Sequence, residues 1–162
     1  MTTSTLIYWI VRSALFLTAA VGTSAYAIRR GGQPERAVAA MVVAAVCVTT
    51  LLPRSHYAEI VWPLLAIDGV MLAGLLLVAL SADRFWPLYF AAVHLLAVTL
   101  HGVRAYDPTI LPNVYARLGG LLAYPTLVIL AIGTWRHRRR GPEPDWSWQV
   151  RRERALAGPV GG

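Results

Sequence analysis

Apolar residues in this 162-residue chain come in long blocks. They do not alternate as in strands, nor form the one-sided stripe of a soluble helix. A helix needs about 20 mostly apolar residues to cross a bilayer core about 30 Å thick. Five blocks approach that length, at 6–28, 37–52, 59–80, 87–104 and 118–135. Each ends in a polar or helix-breaking stop: Arg29-Arg30-Gly31-Gly32, Pro53-Arg54, Ser81-Ala82-Asp83-Arg84, the stretch 105–117 with Pro108 and Pro112, and Arg136-His137-Arg138-Arg139-Arg140. Pro87 suits a first helical turn, where its missing N–H leaves no partner unsatisfied. The pattern predicts an all-α integral membrane bundle over 1–140 and a cytoplasmic tail, partly disordered or interfacial, over 141–162. The block at 37–52 is the shortest, so a four-span bundle with a re-entrant or surface segment there stays open.

Composition narrows the class. Hydrophobic residues make up 57% of the chain and charged residues 14%, against about 25% charged in a soluble domain. Mean hydropathy is +0.54. These values exclude a soluble globular enzyme, a disordered chain and a disulfide-stapled secreted domain. The single cysteine, Cys47, lies within an apolar block and has no internal partner.

Charge sets a direction. All 15 basic residues are Arg, against 8 acids, for a net charge of +7. They cluster at block ends, where the positive-inside rule puts them, so nucleic acid is not the expected partner. Arg29, Arg30, Arg36, Arg84 and the tail arginines fall on one side, Arg54 and Arg117 on the other. Five spans then place the N-terminus outside and the C-terminus in the cytoplasm. Arg12, the apolar run 13–22 and Ala25-Tyr26-Ala27 imitate a cleavable signal peptide. Cleavage would put the Arg-rich tail outside, against the charge bias. Arg136, Arg138, Arg139 and Arg140 are candidate lipid-headgroup contacts, and Trp146 and Trp148 with the following arginines suit an interfacial segment.

Candidate chemistry lies in the ionisable residues of the spans, since each such residue costs about 2.5–3.5 kcal/mol on insertion scales. Arg12, Asp68, His94 and His101 qualify, and on neighbouring helices they would form one buried polar cluster. His94 and His101 are seven residues apart, on nearly one helix face. Three readings follow: haem b ligation, a proton or quinone path, or polar glue fixing helix register. Two histidines about 10 Å apart along one helix cannot hold opposite faces of one iron. Haem would therefore need a five-coordinate site or a second subunit.

No zinc-helix spacing, nucleophile turn or phosphate-cradling loop is present in the sequence, so no metal and no catalysis are expected. Small residues at four-residue spacing mark candidate packing faces: Ala40 and Ala44, Gly69 and Ala73, and Gly119 with Gly120 and Ala123.

Arg84-Phe85-Trp86-Pro87, the intramembrane histidines, Asp107-Pro108, Ala123-Tyr124-Pro125 and the basic stop at 136–139 form a moderately distinctive set. Through them the stretch 60–140 resembles a group of small uncharacterised inner-membrane proteins of alphaproteobacteria, sphingomonad-like in particular. The resemblance implies a bacterial inner membrane and a multi-span fold. It carries no activity and no functional residue. The expected function is a structural or regulatory subunit that assembles with itself or with another membrane protein. The alternatives are a redox or proton-handling subunit using His94, His101 and Asp68, and a small-solute transporter acting as an oligomer.

Overall fold

A computed structural model describes residues 3–51, 62–106, 112–140 and 144–156. They form six helices: α1 (Thr3–Arg30), α2 (Gln33–Leu51), α3 (Trp62–Ser81), α4 (Trp86–Tyr106), α5 (Pro112–Arg140) and α6 (Ser147–Leu156). The first five contain stretches long and apolar enough to cross a membrane, which makes this a multi-pass helical membrane protein. They close into a ring in which each helix packs on the next, α5 returns to α1, and α2 also touches α5 across the middle.

The block at 37–52 belongs to a longer helix than its apolar residues indicate. α2 starts at Gln33, a turn earlier, for reasons visible at its N-terminus. Pro34 sits in the first turn, where no donor is needed, and Glu35 lies where the helix dipole favours a carboxylate. The Gly32 N–H donates to Glu35 Oε2 at 3.0 Å, and Arg36 N–H to Gly32 carbonyl O at 3.1 Å. This is the return half of a capping box, with Gly32 as N-cap and Glu35 at N3. The chain turns from α1 into α2 over Gly31 and Gly32. A Cβ on Gly31 would lie 2.5 Å from both the Ala27 carbonyl oxygen and Glu35 Cβ, so only glycine allows so close a turn.

α5 extends beyond its apolar block at both ends and continues as one helix through Pro125. Its 29 residues span about 43 Å at 1.5 Å per residue, more than a bilayer core, which carries His137 past the apolar layer.

The core is concentrated in one half of the ring. Ala27, Val38, Ala39, Leu75, Phe90 and Leu130 are fully buried, with Trp86 and Leu127 beside them. All lie toward the end where α1 and α3 finish and α2 and α4 begin. A Cβ on Gly133 would come within 2.7 Å of the Trp86 ring, so α5 and α4 meet there at glycine distance. The opposite half is looser. There α4 and α5 part to leave an apolar groove of about 290 Å³, lined by Leu96, Thr99, Leu100, Val103, Leu118 and Leu121, among others.

Candidate functional site

The intramembrane residues separate into two groups. On α3, Asp68 faces two histidines of α4. His101 Nε2 lies 2.8 Å from Asp68 Oδ2, and His94 Nε2 lies 3.1 Å from the Asp68 backbone carbonyl oxygen and 4.0 Å from Oδ1. A carbonyl only accepts, so His94 Nε2 is the nitrogen that carries the proton in this bond. His94 is buried and Asp68 and His101 are part-buried, with side chains 10%, 26% and 17% exposed.

Arg12 does not join them, a correction to the single four-residue cluster. α1 packs against α2 and α5, whereas Asp68 and the histidines sit on α3 and α4. Arg12 Nη2 instead donates to the Arg117 carbonyl oxygen at 3.0 Å, and its guanidinium lies 5.2 Å from the centre of the Trp9 ring. Gly120 gives it room, since a Cβ there would overlap the guanidinium. Arg104, on the same stripe of α4 as the histidines, is buried.

The small-residue faces divide similarly. Gly119 faces Leu100 of α4 and Gly120 faces Arg12. Ala40, Ala44 and Ala73 point outward, and a Cβ at Gly69 would meet open space. The close contact between α2 and α3 uses Gly74 instead, where a Cβ would lie 2.6 Å from Met41 Sδ.

The densest polar site lies at the basic end, among residues the sequence reading treats as loop. Glu35 is fully buried. Its Oε1 accepts from Arg84 Nη1 at 2.7 Å and Trp86 Nε1 at 3.0 Å, while Oε2 accepts the Gly32 N–H. The other arm of the Arg84 fork donates to Asp145 Oδ1 at 2.7 Å. Asp145 Oδ2 in turn accepts the Gln33 N–H at 3.0 Å, capping α2 from the tail.

Around this centre, Trp146 Nε1 donates to Gln33 Oε1, and Asp83 N–H donates to the Asp145 carbonyl oxygen at 3.3 Å. Gln149 Oε1 accepts from the N–H groups of Asp145 and Trp146, starting α6 with its own return bond. The Trp146 and Trp148 rings stack 4.9 Å apart. Asp145 and Trp146 thus fasten the start of the described tail segment to the bundle end, and α6 continues from there. Arg136, Arg138, Arg139 and Arg140 stay exposed around it, and the Arg139 guanidinium sits 4.4 Å from the centre of the Trp135 ring.

An acid at the start of α2 and an Arg-x-Trp-Pro at the start of α4 both flank apolar spans, where polar residues are ordinary and mark no site. Their partnership spans 49 residues, and that of Arg84 with Asp145 spans 61, which no local pattern reveals. Compared with known proteins, the chain matches no family, no curated protein and no solved structure.

Proposed function

We propose that this chain is a small multi-pass subunit of a bacterial inner membrane, structural or regulatory in kind and without catalysis of its own. One observation carries this reading: both histidines of α4 turn Nε2 toward the same residue, Asp68 of α3. That arrangement fastens two neighbouring helices and leaves His94 Nε2, which carries a proton, without a lone pair for a metal or haem iron. Hydrogen bonds of this kind between membrane helices are each worth about 0.6 kcal/mol and fix register. The arginines at the ends of α1 and α5 and the start of α2 favour that end in the cytoplasm, hence an N-terminus outside and a tail inside.

The partners are the bilayer and a second membrane protein, either another copy or a different chain. Ala40, Ala44 and Cys47 are all exposed and recur at i, i+4 and i+7 along α2, on one outward face. Small residues there let a partner helix approach closely. Mild copper–phenanthroline oxidation of native membranes tests this through the natural cysteine. The expected result is a Cys47-linked dimer or mixed adduct that Ala44→Leu suppresses. No adduct, with a monomeric mass by light scattering, would sink the reading.

A second reading is favoured by the 2.8 Å approach of His101 to Asp68: a proton-handling site, with or without quinone. Asp68→Asn separates the two. An amide still accepts from His101 and keeps the helices fastened, whereas a proton site loses its titrating carboxylate. Proton flux in proteoliposomes that is present in the wild type and absent in Asp68→Asn would favour the second reading.

A further inference from the structure

We infer that the basic end carries a divalent metal site of the zinc type, made by Glu35, His137 and Asp145. This goes beyond the proposed function and does not depend on it. The three residues come from α2, the last turn of α5 and the segment before α6, and one ligand atom from each lies within 4.8 Å of the others. Glu35 is fully buried, and His137 and Asp145 are half-buried. An imidazole with two carboxylates is a donor set that zinc accepts, with water free to take the fourth position.

The lone pairs support the assignment. Arg84 and Trp86 fill Glu35 Oε1, but Oε2 accepts only the Gly32 N–H and retains one lone pair. Each oxygen of Asp145 likewise accepts one donor and keeps one pair, Oδ1 from Arg84 and Oδ2 from Gln33. His137 takes no part in the Arg84 network. It stands inside ion-sharing distance of both carboxylates without bonding to either, whereas His101 closes directly onto its acid.

Space and charge agree. Gly32 borders the three groups: a Cβ there would overlap Asp145 Oδ1 and come 3.0 Å from His137 Cε1. Two carboxylates and one guanidinium leave a net charge of −1 for a cation to meet. Arg136 and Arg138 flank His137 in sequence, but each points about 100° away around the helix. Ligand atoms on a tetrahedral zinc stand about 3.4 Å apart for bonds of about 2.1 Å, so binding closes the group by on the order of 1 Å. The ion would join the tail to α2 and α5 at a point that Arg84 already holds from the other side.

The test uses untagged, EDTA-washed full-length protein in detergent, titrated with Zn²⁺ by calorimetry and with Co²⁺ by visible absorption. One Zn²⁺ per chain and Co²⁺ d–d bands are expected. His137→Ala should weaken Zn²⁺ by at least ~10-fold and abolish the bands, while leaving the unfolding temperature in EDTA unchanged, because His137 makes no bond in the metal-free network. Asp145→Asn, which keeps an oxygen for Arg84, should also weaken Zn²⁺. Absence of Zn²⁺ binding, or binding that survives His137→Ala, would overturn the assignment. So would a His137-dependent response to pH with none to Zn²⁺, which would mark an imidazolium–carboxylate pair instead.

Discussion

At the basic end of the ring, Glu35 is fully buried and each of its oxygens accepts a hydrogen bond; in the looser half, the Asp68 side chain is 26% exposed and the residue is shared between two histidines of one helix. The difference lies in how many elements each acid joins. Glu35 and Asp145, through Arg84, tie together the α1–α2 turn, the α3–α4 turn and the tail, directly beneath the largest buried side chains. Asp68 joins only α3 to α4 and lies beyond the main core. A buried charge is tolerated where several donors converge on it, and there its loss is severe. A charge within the bilayer with few partners holds two helices in register and little else.

Substitutions can break this contrast in order of size. Arg84→Ala should have the largest effect, about 3–5 kcal/mol of stability, because it strands a fully buried carboxylate; steric-trapping or denaturant unfolding in detergent measures it. Gly133→Val should follow at about 1–3 kcal/mol, since the new side chain meets the Trp86 ring between α4 and α5, and the loss should appear in the same unfolding assay. Asp68→Ala, which removes the carboxylate that His101 holds and keeps the backbone carbonyl that His94 holds, should lower stability by only about 0.6–1.7 kcal/mol. An Asp68 effect as large as that of Arg84 would erase the distinction. Asp145→Ala should leave the spans folded and free the tail, read as faster tryptic cleavage at Arg151 and Arg152.

Much of the looser half was legible in the sequence. Apolar block length identified five helices, and the isolated charges within them singled out Asp68, His94 and His101. That signal is local, because an ionisable residue inside an apolar block stands out by itself. Arg12 stands out equally, but one-dimensional depth says nothing about which helices are neighbours, and the ring order sends Arg12 to α5. The basic end was illegible for the opposite reason. Polar residues are expected at span ends, so Glu35, Arg84, His137 and Asp145 carried no contrast, and only closure of the ring gathers them. The outward placement of Ala40, Ala44 and Ala73 is likewise a matter of helix rotation, which small-residue spacing leaves undetermined.

The proposed structural role requires the histidines of α4 to serve Asp68 and not a cofactor. The most direct test is the visible absorption spectrum of protein purified in detergent from cells well supplied with haem, first air-oxidised and then reduced with dithionite. Folded protein with no band beyond its own aromatic absorption is the expected result. A Soret band with sharp reduced peaks, lost in His94→Ala or His101→Ala, would contradict it and make this chain a cytochrome-like subunit.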